Sequence, residues 1–350
     1  MKVTTWCFGL LAVALIATPA KAASLLAYEG FDYADGTDIG LGAGADTGTG
    51  WSADWARNSS NGVENSLRAV VGSLGYQDTD GRVLATSGGY GLVDWNGLLP
   101  DNADAAGSGS NKNAQWFRNL DLSATGATNM GELVGPGNSY YQSFIAERRG
   151  VLDPVVVDTN GDMIADTTVN APNGYSRNAH YTLVNGNRFG EAVQIGGVGV
   201  KKDAWTLRAK NSAAEDQVSD VRFSYNQQFV VVKVTPGVLD VNDPNFVPDL
   251  VEVWFNPLLS SEGAAGAPDL VKYVLDNDVA PYDVAQTGVA LAAGNFSGNR
   301  SGSVMAFDEI RVGLNWGSVT PYVGQVVPEP ASLALLGLCG LGLAGARRRS

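Results

Sequence analysis

The chain has 350 residues, of which 44 are Gly, 45% are hydrophobic and 17% are charged, a balance that fills a core and excludes a disordered polymer. A formal net charge of −13 argues against nucleic acid as a partner, because phosphate contacts need a Lys/Arg surface. Two Cys (Cys7 and Cys339) and one His (His180) exclude a Cys/His zinc cluster and a disulfide framework.

Residues 1–22 have the pattern of a secretory signal peptide. Lys2 gives a positive start, Trp6 to Ala17 is an apolar run, and Ala20-Lys21-Ala22 offers small residues to signal peptidase, with cleavage before Ala23. From residue 23 to 325 helical periodicity is almost absent, and short apolar runs alternate with turn-rich stretches. Strands are expected at 25–31, 67–71, 115–122, 140–147, 180–184, 192–195, 205–209, 221–225, 229–234, 250–255, 284–291 and 303–312. Asp80-Gly81, Pro136-Gly137, Asn160-Gly161, Asn173-Gly174, Asn185-Gly186 and Pro236-Gly237 mark turns between them. Many short strands without crossover helices predict an all-β fold, an antiparallel β-sandwich. In Val251-Glu252-Val253-Trp254-Phe255 the alternation puts Val251, Val253 and Phe255 on one face and Glu252 and Trp254 on the other.

Several constellations invite a chemical reading. Exposed indoles stack on sugar rings, and Trp51, Trp55 and Trp95, near Gly- and Asn-rich loops, are the expected carbohydrate contacts. Asp158-Thr159-Asn160-Gly161-Asp162-Met163-Ile164-Ala165-Asp166 spaces side-chain oxygens as a Ca²⁺ loop does. Asp158, Asn160, Asp162 and Asp166 would ligate the ion, with the main-chain carbonyl of Ile164. The loop resembles those of thrombospondin type 3 and dockerin-like repeats. It departs from an EF-hand at Met163 and Val169, and an acidic turn is the plainer alternative. His180 lacks a nucleophile-elbow motif and fits a structural position on a strand. Gly40-x-Gly42-x-Gly44 lacks the flanking strand and helix of a dinucleotide site. A retaining glycosidase needs two carboxylates on one face about 5–5.5 Å apart. Asp308 and Glu309 are adjacent, which in a regular strand sends them to opposite faces, so no catalytic residues and no enzyme activity are expected.

At the C-terminus, Pro328-Glu329-Pro330 precedes an uncharged block, 331–346, and then Arg347, Arg348 and Arg349. The block is marginal for a membrane-spanning helix, which takes about 17–25 residues, and suits transient insertion with the Arg cluster left in the cytoplasm. The tripeptide, the apolar block and the Arg cluster in this order resemble the PEP-CTERM sorting signal, here 326–350. The resemblance implies recognition and cleavage by exosortase. It also implies a bacterium that makes exopolysaccharide. Both Cys fall in the end segments, which hold five basic residues and one acidic. The remainder, about residues 23–327, has 18 basic residues against 35 acidic, a net of −17. Such a surface repels polyanions unless divalent cations bridge the two.

A second resemblance runs through the middle. Leu26-Ala27-Tyr28-Glu29-Gly30-Phe31-Asp32-Tyr33, Gly50-Trp51-Ser52-Ala53-Asp54-Trp55, Val253-Trp254-Phe255-Asn256-Pro257 and Phe307-Asp308-Glu309-Ile310-Arg311-Val312-Gly313 occur in the order of concanavalin A-like (LamG-type) jelly rolls. This implies that the first and last strands pair. The expected protein is exported, held transiently in the inner membrane and delivered to the cell surface or extracellular matrix. It is expected to bind carbohydrate or to adhere; a structural spacer and a glycoside hydrolase or lyase are the alternatives.

Overall fold

The computed structural model describes residues 24–39, 48–57, 66–94, 112–149, 152–157, 167–172, 179–185, 191–197, 204–209, 216–222, 227–238, 244–274, 284–295 and 304–323. The signal segment, Trp95, the 158–166 loop and the 326–350 tail lie outside them. In chain order the strands are β1 (Leu25–Glu29), β2 (Ala56–Arg57), β3 (Leu67–Val71), β4 (Gly89–Asp94), β5 (Lys112–Asn119), β6 (Tyr140–Arg149), β7 (Leu152–Val157), β8 (Thr167–Pro172) and β9 (Ala179–Val184). They continue as β10 (Glu191–Gly197), β11 (Ala204–Ala209), β12 (Gln217–Arg222), β13 (Gln228–Thr235), β14 (Asp249–Phe255), β15 (Leu270–Val274), β16 (Gly288–Asn295) and β17 (Val304–Gly313). Three short helices interrupt them: α1 (Met130–Val134), α2 (Glu262–Ala265) and α3 (Trp316–Val319). Each opens on a capping residue, Asn129, Ser261 or Asn315, whose side-chain oxygen accepts an N–H three residues on.

The strands form two antiparallel sheets. One has eight strands in the order β15-β14-β13-β6-β17-β4-β3, with β1 also paired to β17; the other has seven in the order β12-β11-β10-β9-β16-β5-β2. β7 and β8 pair with each other in a separate two-stranded sheet. The first and last strands are neighbours, with Tyr28 opposite Arg311 and Glu29 opposite Ile310, as the jelly-roll resemblance implies. β17 divides its length, with residues 304–307 pairing β4 and its C-terminal half pairing β1.

Alternation explains the core. Val230, Val232 and Val234 of β13 and Val251, Val253 and Phe255 of β14 point between the sheets. They meet Tyr181 and Leu183 of β9, Val193 and Ile195 of β10, and Trp205 and Leu207 of β11. The Phe144 and Tyr181 rings stack across this interface with centroids 4.2 Å apart. A second apolar cluster lies on the far side of the eight-stranded sheet. There Ile145, Phe229, Val231, Trp254 and Ala306 are covered by Leu74 and Leu84 of the β3–β4 connection and by Trp316 and Val319 of α3. Trp254, on the outward parity of β14, is therefore enclosed and sits edge-on to Trp316 at 5.4 Å.

β2, β4, β7, β8 and β15 were not among the expected strands. In β4, Gly89 and Gly91 depress strand propensity, yet Gly91 is required, since a Cβ there would meet the Phe31 ring at 2.5 Å.

Candidate functional site

Sequence alternation places Glu29 on the same parity as Ala27 and Phe31, facing the core. Its carboxylate is fully buried and forms an ion pair with the equally buried Arg118 of β5. Glu29 also accepts hydrogen bonds from the Phe31 N–H at 2.7 Å, Trp55 Nε1 at 3.3 Å and the Tyr33 hydroxyl at 3.4 Å. Arg118 donates through Nε to the Ala53 carbonyl at 2.9 Å and lies 5.3 Å from the Trp51 ring centroid.

Trp51 is 6% and Trp55 2% exposed. Trp55 stacks at 6.1 Å on Phe31, and Trp51 donates its indole N–H to the Tyr28 carbonyl at 2.9 Å. The expectation of exposed sugar platforms at Trp51 and Trp55 is therefore corrected. Both indoles wall the Glu29–Arg118 pair, because a charge pair inside a sandwich needs a rigid surround that completes its hydrogen bonds.

The second correction concerns Asp308 and Glu309. The β17–β6 register slips between Asp308 and Arg311, and Glu309 has φ of 55°, so a β-bulge breaks the alternation. Ala306 belongs to the outer cluster, Phe307 and Ile310 to the inner core. The two carboxylates therefore reach the outer side of the sheet together, not opposite faces.

Asp308 accepts from the Ser73 hydroxyl, the Leu74 N–H and the Glu309 N–H, each at 2.7 Å. Glu309 accepts from the Ser87 N–H at 2.6 Å, from the Tyr28 hydroxyl at 3.1 Å, and from Arg311. Arg311 is also anchored by the Ala85 carbonyl at 2.5 Å. Burial, then the Glu309 charge, pushes the Asp308 carboxyl up to about 8. Burial also raises Glu309, with Arg311 opposing, and raises the Tyr28 phenol, with Glu309 adding to the effect. Both carboxylates thus hold down the two ends of the β3–β4 connection. The arrangement fits a structural clamp: every oxygen is engaged, and both residues are inaccessible.

The outer face of the seven-stranded sheet has a different character. Two cross-strand rows run over it. One aligns Arg208, Gln194, Thr182, Ala290, Phe117 and Ala56. The other aligns Val218, Thr206, Gly196, His180, Ala292 and Gln115. Gln194 Nε2 donates to His180 Nε2 at 3.3 Å, and Arg208 grips Asp216 through two bonds of 2.9 and 2.7 Å. Thr182, Thr206 and His180 are buried, whereas Gln194, Arg208 and Phe117 are half-buried. Sequence reading found His180 but not Gln194 or Arg208. Their signal was parity, each standing between inward apolar residues, Val193 and Ile195 or Leu207 and Ala209.

Among the described residues no group of three or more His, Cys, Asp or Glu side chains gathers as a metal site, and no helix is long and apolar enough to cross a membrane. The Ca²⁺ ligands expected at Asp158, Asn160, Asp162, Ile164 and Asp166, and the sorting residues Pro328, Glu329, Pro330, Arg347, Arg348 and Arg349, belong to the segments outside that set.

Residues 326–349 match the family model of the PEP-CTERM protein-sorting motif. The chain therefore carries that sorting motif, which implies processing by exosortase and export. No curated protein matches the sequence. Among solved structures, an alginate lyase, Aly36B, crystallised as a mutant with alginate trisaccharide, is similar at 11% identity, with 69% of this chain and 86% of that one covered and a TM-score of 0.27. A botulinum neurotoxin type C, whose cell entry depends on interaction with two ganglioside molecules, is similar at 12% identity over 71% of this chain and 49% of that one, TM-score 0.30. Trypanosoma rangeli sialidase with 2,3-difluorosialic acid is similar at 10% identity over 85% of this chain and 32% of that one, TM-score 0.34. The chain thus spans less than two thirds of the neurotoxin and sialidase chains, and at these TM-scores the fold assignment rests on its own strand order.

Proposed function

We propose that this is an exosortase-sorted surface or exopolysaccharide-matrix protein whose sandwich binds an uncharged polysaccharide on the outer face of the seven-stranded sheet. The observation that carries the reading is the pair of polar rows over that face. The amide of Gln194 and the guanidinium of Arg208, paired across β10 and β11, match the hydroxyls of a sugar chain. A polymer would meet the half-buried Gln194 and Arg208 first. The net of −17 outside the end segments favours a neutral polymer over an anionic one. We read the protein as non-enzymatic, with Asp308 and Glu309 as clamp residues. Glycan-array binding by residues 23–327 is the test: absence of binding across bacterial exopolysaccharides and plant or algal glucans would sink the reading, and release of reducing sugar would make it an enzyme.

A spacer without a ligand is the second reading. It is favoured by the burial of every described tryptophan (Trp51, Trp55, Trp116, Trp205, Trp254 and Trp316), which leaves no indole platform among the described residues. Sorting is tested separately. Replacing Pro328 and Glu329 is expected to leave an uncut precursor in the membrane, and normal maturation of that variant would contradict it.

A further inference from the structure

The last described stretch of chain is stitched to the β3–β4 connection. The Ala85 N–H donates to the Pro321 carbonyl at 2.8 Å, Leu84 bridges to Tyr322, and the Val323 N–H donates to the Val83 carbonyl at 2.8 Å. Val323 is 69% and Val83 44% exposed, so two β-branched apolar side chains stand together in solvent. The Tyr322 ring beside them is half-buried, with the Arg82 guanidinium 5.8 Å from its centroid. Arg82 is paired with Asp80 at 2.5 Å and Asp78 at 3.5 Å, so its cation is neutralised and this rim keeps one net negative charge.

Only residues 324–330 separate Val323 from the uncharged block at 331. Seven extended residues reach at most about 25 Å. Part of that reach is used in crossing the headgroup layer, which takes about 5–8 Å on each side of the hydrocarbon. We propose that Val83, Val323 and Tyr322, with the aliphatic stem of Arg82, form a bilayer-contact surface of the anchored precursor. The occupant is the lipid headgroup–acyl boundary beside the chain's own tail. The proposal rests on the sorting reading, which places 331–346 in the membrane.

Two Val and one Tyr are too few to hold a free domain on a membrane, and an acidic domain is repelled by anionic lipid. A short tether removes that obstacle, since it sets an effective concentration in the millimolar range. Tyr at the interface and apolar side chains just beneath it are the residues this boundary favours. The contact therefore exists only while the tail is attached, and cleavage by exosortase releases tail and rim together.

The test uses the precursor without its signal segment, residues 23–350, with Cys339→Ser, in vesicles of phosphatidylethanolamine and phosphatidylglycerol without exosortase. An environment-sensitive dye is placed at Val83→Cys or, separately, at Val323→Cys. The reference site is Tyr273→Cys, 55% exposed on the far edge strand β15. Both rim probes should show blue-shifted emission and quenching by doxyl lipid, the Tyr273 probe neither, and removal of the tail should return the rim probes to the reference value. Solvent-like emission at both rim positions in a precursor that sediments with the vesicles overturns the contact. A precursor that stays in the supernatant overturns the anchoring reading instead, and the contact falls with it.

Discussion

The two outer faces of the sandwich are built on opposite plans. On the eight-stranded sheet the protein seals its own surface: the β3–β4 connection and α3 cover an aromatic cluster, and the buried Asp308 and Glu309 fasten that cover. On the seven-stranded sheet the outward positions mix amides, hydroxyls, an imidazole, an arginine and small residues with Phe117 and Val218, and no second apolar cluster forms there among the described residues. The difference teaches where to look for stability and where for recognition. Charges on the sealed face have all their partners inside the protein, so changing them costs folding energy. Polar groups on the other face include two half-buried ones, Gln194 and Arg208.

The largest effect should come from unpairing the sealed face. Arg311→Ala leaves Glu309 buried beside Asp308 without its cation. Breaking one partner of a buried pair costs about 3–5 kcal/mol. Chemical denaturation of the variant should show a loss of that order, and a change below about 1 kcal/mol would mean that water already reaches the clamp.

The second test is pH. Asp308 holds its proton to about 8 in the folded chain, whereas in the unfolded chain a carboxyl loses it near the ordinary value of about 3.9. Between those values the native state binds the extra proton, so this group's contribution to stability falls as pH rises. It is most favourable below the unfolded value and least favourable above 8. Asp308→Asn removes the titration, so the melting-temperature difference, variant minus parent, should increase from pH 5 to pH 8. A constant difference would place an ordinary, solvated carboxylate at that position.

How much of this was legible in the sequence depends on the element. Strand alternation gave the inward residues of β14, and motif order implied the β1–β17 pairing. The Pro-Glu-Pro tail was legible because three independent signals stand in one order. The bulge was not, because a positive φ at Glu309 leaves no mark in a sequence whose neighbours read as a regular strand. Trp51 and Trp55 misled because loop composition says nothing of burial. What claims them is the Glu29–Arg118 pair, Arg118 lying over Trp51 and Glu29 accepting from Trp55, a pair joined only by the fold.

A third test concerns neither face but the segment between β7 and β8. If Asp158, Asn160, Asp162, the Ile164 carbonyl and Asp166 hold Ca²⁺, binding to the folded state alone adds about 1.4 kcal/mol at ten times the dissociation constant. Extracellular calcium modules fill at about 10⁻⁴–10⁻³ M, so the gain should appear outside the cell. Titration calorimetry of residues 23–327 beside Asp158→Ala/Asp162→Ala is the check, and equal heats would reduce the segment to an acidic turn. Magnesium should substitute poorly, because it demands tight octahedral geometry and holds its waters.

The smallest effect on folding should accompany the largest effect on recognition. Gln194→Ala removes one amide from the outer row of the seven-stranded sheet, where its described partner is His180 at 3.3 Å. A neutral hydrogen bond contributes about 0.5–1.5 kcal/mol net, so stability should drop by no more than that. Arg208→Ala removes a guanidinium and frees Asp216, whose side chain is 9% exposed, so its cost should be somewhat larger. If the face binds a sugar chain, each lost hydrogen bond of about 0.5–1.5 kcal/mol weakens binding by about two- to tenfold. The double variant should then lose most of its affinity for a glycan that the parent retains, while its denaturation midpoint falls by no more than the two single variants' shifts together. Tyr76→Phe serves as the counterpart on the sealed face, where the hydroxyl donates to the Pro257 carbonyl at 2.8 Å. It should shift the midpoint and leave glycan binding intact. If the Gln194 and Arg208 variants bind as the parent does while Tyr76→Phe does not, the assignment of the two faces is reversed.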